Sequence, residues 1–133
     1  MSTPLPFDHR DSAHIHRQEA ERMSTLVTDT TAWEPKDGDL PNIQRLLAGP
    51  GITLVRLSFR QGQVLDEHRA PGPILISCVS GAIDLDVTAG GAMAAHRLEP
   101  GSTIYLAAGD PHRLEARADS VVHLTLQWNV HPA

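Results

Sequence analysis

Cysteine occurs once in the 133 residues, aromatic side chains make up only 4% of them, and no apolar run approaches membrane-spanning length. The lone thiol, Cys78, has no partner in the chain for a disulfide. Its setting, Ile74-Leu75-Ile76-Ser77-Cys78-Val79, reads as a buried, inert position rather than an exposed, electropositive one. Positive charge is also scarce. Eleven Lys and Arg against 16 Asp and Glu give a formal charge of −5, which excludes a broad basic surface for nucleic acid or anionic lipid. The opening Met1 to Arg10 carries no continuous apolar segment of the signal-peptide kind, so the sequence is read as that of a cytoplasmic, soluble protein. A phosphate-cradling loop is missing too: Gly90-Gly91 is not followed by Lys-Ser or Lys-Thr. Neither Ser77 nor Ser80 has the Gly-x-Ser-x-Gly setting of a strained nucleophile turn.

Turn-forming residues, by contrast, are plentiful: ten glycines and ten prolines in a chain of ordinary apolar content, 41%. The length fits one domain. Residues 1–30 are mostly polar and read as a flexible extension; His9, His14 and His16 within it are expected to be solvated. Met23-Ser24-Thr25 repeats Met1-Ser2-Thr3, so both methionines are candidate starts. Residues 31–133 form the predicted folded domain. There, short apolar runs alternate with turns at Gly49-Pro50-Gly51, Gln61-Gly62-Gln63, Pro71-Gly72-Pro73, Ser80-Gly81, Gly90-Gly91, Pro100-Gly101 and Gly109-Asp110-Pro111. Ile83, Leu85 and Val87 alternate with Asp84 and Asp86, the pattern of a half-buried antiparallel strand whose acids face solvent. About eight strands at roughly ten-residue spacing, with no helix in the core, predict an all-β antiparallel jelly-roll barrel. Trp33 and Trp128 are expected to anchor sheet edges.

Within this pattern, Gly62, five intervening residues, His68 and then Gly81 resemble the first cupin motif. Gly101 with Ala107-Ala108-Gly109-Asp110-Pro111-His112 resembles the second, and the likeness spans about Arg45 to Trp128. The resemblance implies a small single-domain bacterial cupin of the RmlC-like superfamily. In a full cupin site three histidines and a glutamate converge on a divalent metal. On this chain His68 matches the first ligand and His112 the last, while Ala70 and Ile74 stand where the second histidine and the glutamate would be. Ala107 and Ala116 also replace the proline and asparagine often found in the second motif.

Three readings follow from the resemblance. In one, His68 and His112 hold a divalent metal (iron, manganese or zinc), with Asp66 as a third ligand if it and His68 lie in a regular strand and so share a side. An open coordination position would then suit oxygenation or isomerisation. In another, His68, His112 and His123 line a metal-free pocket for a small organic ligand. In the third, the chain is a non-enzymatic ligand-sensing or dimerisation module. His96 shares a strand face with Leu98 and is a further inward candidate, whereas His131 near the C-terminus is expected to be solvated. The resemblance also implies a homodimer.

Overall fold

A computed structural model of the protein describes residues 24–128. Nine strands follow in chain order: β1 (Asn42–Gly49), β2 (Ile52–Phe59), β3 (Val64–His68), β4 (Ile74–Ser80), β5 (Ile83–Ala89), β6 (Ala92–Leu98), β7 (Thr103–Leu106), β8 (His112–Ala116) and β9 (Ser120–Gln127). No helix occurs among the described residues, and none is therefore long and apolar enough to cross a membrane. The strands make two antiparallel sheets, ordered β1-β2-β9-β4-β7 and β3-β8-β5-β6. Their hydrogen-bond ladders do not join into one closed ring. The strands are all-β and antiparallel as predicted, in two sheets with a shared interior, in which Leu57, Phe59, Ile76 and Val122 of one form a single cluster with Ile83, Leu85 and Leu114 of the other.

Period-two alternation decides which side chains enter that interior. On β9, Val122 and Leu124 are paired with Leu57 and Val55 of β2 and point inward, so His123 between them points out. The outer face of the five-stranded sheet would then expose Arg56, Ser58 and Val121, yet all three are buried. The chain before β1 covers Arg56 and Ser58. The Arg56 guanidinium donates to the Asp29 carbonyl at 2.7 Å and to Gln44 Oε1 and Glu34 Oε1, and the Glu34 N–H donates to Ser58 Oγ. Trp33 Nε1 donates to the Phe59 carbonyl at 2.8 Å. Residues 24–30, read from the sequence as part of the extension, thus include two, Asp29 and Thr30, that are bonded to the sheet. His9, His14, His16 and His131 lie outside the described residues.

The other sheet keeps a wet outer face. Asp84 on β5 accepts from Arg97 of β6 and from Arg117 just beyond β8, and these partners hold its carboxyl below the usual carboxylate range. Cys78 is buried as expected, with burial pushing its thiol pKa up.

Gly81 shows how tightly the turns are set. It adopts φ +85°, and a Cβ there would sit 2.1 Å from Ser120 Oγ and 2.3 Å from the Asp119 carbonyl oxygen. Gly91 has a similar φ of +80° with open space around it. Gly91→Ala should therefore cost only the left-handed backbone penalty, about 1–2 kcal/mol. Gly81→Ala should add an overpacking term of about 1–3 kcal/mol. Urea midpoints of the two variants test this, and equal losses would contradict the close packing at Gly81.

Candidate functional site

The site is built where β3 pairs with β8. Leu65 faces Leu114, and His68 faces His112, so three steps along β3 match two along β8. That extra residue is a β-bulge, and it restores the inward direction to His68 after Leu65 has used it. The result brings the imidazoles of His68 and His112 together, ring centroids 4.1 Å apart and planes at 61°, edge to face. A further tie fixes the loop after His68 against the turn before His112, as the Gly109 N–H donates to the Ala70 carbonyl at 2.9 Å.

Each ring is oriented by the same local device. The segments Asp66-Glu67-His68 and Asp110-Pro111-His112 return the histidine Nδ1 to the carbonyl of the aspartate two residues earlier, at 3.0 Å in both. A carbonyl only accepts, so each Nδ1 carries a proton, and the neutral form of either ring presents its lone pair at Nε2. His112 is 2% exposed, and its Nε2 is buried with no hydrogen-bond partner. Leaving such an atom unpaired costs about 1–3 kcal/mol. Burial pushes the His112 imidazole pKa down, which outweighs the upward pull of the Asp110 carbonyl; the neighbouring His68 lowers it further.

Both imidazoles line a cavity of about 290 Å³ between the sheets. Its wall is aliphatic, with Val55, Leu57, Leu65, Ile74, Leu124 and Leu126, and Ala70 completes the side beside His68. Ala70 and Ile74, at the two remaining cupin ligand positions, thus contribute hydrocarbon to this wall. Arg69 also lines the cavity while remaining exposed, which puts it where the cavity meets solvent. Sequence reasoning missed Arg69, and its only signal there was adjacency to His68.

Three other candidates fall elsewhere. The expected inward placement of His123 is corrected: its Nε2 donates to the Thr30 carbonyl at 2.8 Å on the outer side of the five-stranded sheet. Asp66 does not join the histidines either. Its side chain is 87% exposed, accepts from the Glu67 N–H and lies 3.8 Å from Arg113. The bulge breaks the regular strand on which its shared side with His68 depended. His96 lies opposite Leu85, on the inward face, but β6 is the sheet edge and His96 is exposed and outside the cavity.

These placements test the cupin metal directly. Two imidazole lone pairs are present, but no group of three or more His, Cys, Asp or Glu residues able to hold a metal ion exists among the described residues. A first-row divalent ion held by three or more protein ligands does not fit this donor set.

The low basicity of His112 has a measurable consequence. The unfolded imidazole titrates near pH ~6.5, whereas the folded one resists protonation, so its contribution is complete above that pH and is lost as pH falls from there through the depressed folded value. The stability advantage of the wild type over His112→Gln should shrink below about pH 6.5, by up to about 1.4 kcal/mol per pH unit. Chemical unfolding of both proteins across this range checks it, and a pH-independent difference would contradict a buried neutral imidazole.

No protein-family model matches the sequence, and no curated protein matches it. Solved structures do. KdgF from a Halomonas species superposes with a TM-score of 0.63 at 21% identity, covering 78% of this chain and 94% of that one. A cupin superfamily protein from Desulfitobacterium hafniense gives 0.62 at 13% identity, over 71% of this chain and 83% of the other. An oxalate oxidase in complex with the substrate analogue glycolate gives 0.65 at 12% identity, over 79% and 59%. At these identities the likeness speaks for architecture alone, and it agrees with the two-sheet topology and the turn spacing: this is a small protein with the fold of the RmlC-like cupins.

Proposed function

We propose that the protein binds a small organic molecule in the cavity between its sheets, with an O–H or N–H group of that molecule donating to Nε2 of His112. The buried, partnerless Nε2 of a residue that lines this apolar cavity carries this reading, because a donor that a ligand brings would satisfy it. The body of the molecule would lie against the aliphatic wall, where each buried methylene contributes about 0.8 kcal/mol. At roughly 30 Å³ per water-sized group, the 290 Å³ space suits a molecule of on the order of ten non-hydrogen atoms.

Binding, rather than a defined reaction, is what the lining supports. It holds no carboxylate, thiol or hydroxyl among its described residues, so proton transfer through an imidazole is the one chemical step its side chains offer. The fold's hallmark metal has lost two of its ligand positions to Ala70 and Ile74, and no step is assigned to it. This favours a ligand-binding or ligand-sensing role over metal-assisted oxygenation.

Phenol and toluene, alike in shape but differing in the donor, test the reading. In backbone-amide NMR titrations of the whole chain, phenol should perturb the amides of Leu65, Ala70 and His112. It should bind more tightly than toluene by the value of one net hydrogen bond, about two- to tenfold. His112→Phe should abolish that preference, and Ala70→Met, which narrows the cavity, should weaken both compounds. Equal binding of the two compounds by the wild type, or perturbation confined to the outer sheet faces, would overturn the proposal.

A further inference from the structure

The cavity has a second polar feature that the histidines do not use. Of the described residues that line it, Arg69 is the one with a permanent charge, and no carboxylate lies among them. On the outer sheet face the arginines are already matched. Arg97 and Arg117 bind Asp84, Arg113 reaches Glu115, and the buried Arg56 meets Glu34. Arg69 forms no salt bridge or hydrogen bond with a side chain among the described residues, although Asp66 and Glu67 are close by in sequence. Asp66 is engaged by the Glu67 N–H and approaches Arg113 instead. Arg45 is likewise without a partner there, but it does not line the cavity.

Resting on the binding role proposed above, we infer that the ligand is a hydroxy acid: a compact molecule with a hydroxyl that donates to His112 Nε2 and a carboxylate that Arg69 receives at the mouth. The division follows from the cost of burial. A carboxylate moved into the aliphatic interior would lose its hydration beside the buried His112 ring, whose free nitrogen offers only a lone pair, whereas a hydroxyl loses little once it donates to it. At the mouth the carboxylate keeps part of its water and gains a guanidinium whose planar fork of donors matches its two oxygens. Depth therefore sorts the two ends, with the neutral donor inside and the anion outside.

The test uses 4-hydroxyphenylacetate, its methyl ester and 4-methoxyphenylacetate as probes, titrated into the full chain and followed by calorimetry and by the amides of residues 65–70 and 112. The acid should bind about three- to tenfold more tightly than its ester at low ionic strength, and that advantage should shrink as added salt screens the exposed pair. Arg69→Gln should remove the advantage, and Arg69→Lys should keep part of it, since the charge remains but the fork is lost. The methoxy compound should lose affinity through the His112 contact while remaining sensitive to Arg69. Equal affinities of acid and ester, or an acid advantage that persists in Arg69→Gln, would overturn the carboxylate assignment. If the ester still binds in a His112-dependent way in that case, the binding role itself stands. If none of the three probes perturbs residues 65–70 and 112, the binding role fails and the hydroxy-acid assignment fails with it.

Discussion

The candidate site depends on a single extra residue in β3. Had β3 and β8 paired without interruption, Leu65 and His68, an odd number of positions apart, would have faced opposite sides of the sheet. The bulge lets Leu65 join the core beside Leu114 and still returns His68 to the interior opposite His112. Everything else at the site is local reinforcement. The Asp66 and Asp110 carbonyls fix the rings and their tautomers, and the Gly109 N–H ties the loop behind His68 to the turn ahead of His112. An approach of 4.1 Å between ring centroids is what a directly opposed cross-strand pair provides.

The two outer sheet faces meet solvent by different means, and the contrast explains where the remaining polar residues went. Across β5, β6 and β8 the acids and arginines form a solvated lattice centred on Asp84, whose individual pairs are each worth little, about 0–1 kcal/mol. Across β2 and β9 the covering is the chain's own residues 29–34. Arg56 is 5% exposed there, and a buried guanidinium without acceptors would be strongly destabilising. The Asp29 carbonyl, Gln44 and Glu34 supply those acceptors, so the segment ahead of β1 and the arginine require one another. His123 is spent in the same arrangement, on the Thr30 carbonyl.

Much of the strand plan was legible because glycine and proline punctuate it. Positive φ at Gly62, Gly81, Gly91, Gly101 and Gly109 coincides with turns read from the sequence, and the strands lie between those turns. The meeting of His68 with His112 was legible through a motif resemblance, not through the residues between them. What could not be read depended on structure that has no local signal. A bulge inside Val64–His68 is invisible to a period-two pattern, and it moved Asp66 away from the histidines. The outward face of His123 could not be read because the sheet carrying it is covered on both sides; Arg56 set between Val55 and Leu57 was the mark of that covering. His96 obeys its alternation and still stays exposed, since burial at an edge strand depends on what the opposite sheet reaches.

The chemistry of the cavity follows from what replaced the metal donors. An imidazole and a carboxylate at the positions of Ala70 and Ile74 would have completed a charged, hydrated cluster. Their hydrocarbon instead keeps the local polarity low around His112, whose burial makes its imidazole harder to protonate. A buried imidazole acceptor in apolar surroundings is a poor host for an anion and a good host for a donor. The same low polarity that removes the reason for a cation at depth gives one at the rim, where a guanidinium can stay hydrated and still act on whatever enters. Under the binding role proposed above, hydrocarbon at these two positions leaves hydrogen-bond direction and depth, not coordination, as the means of selection.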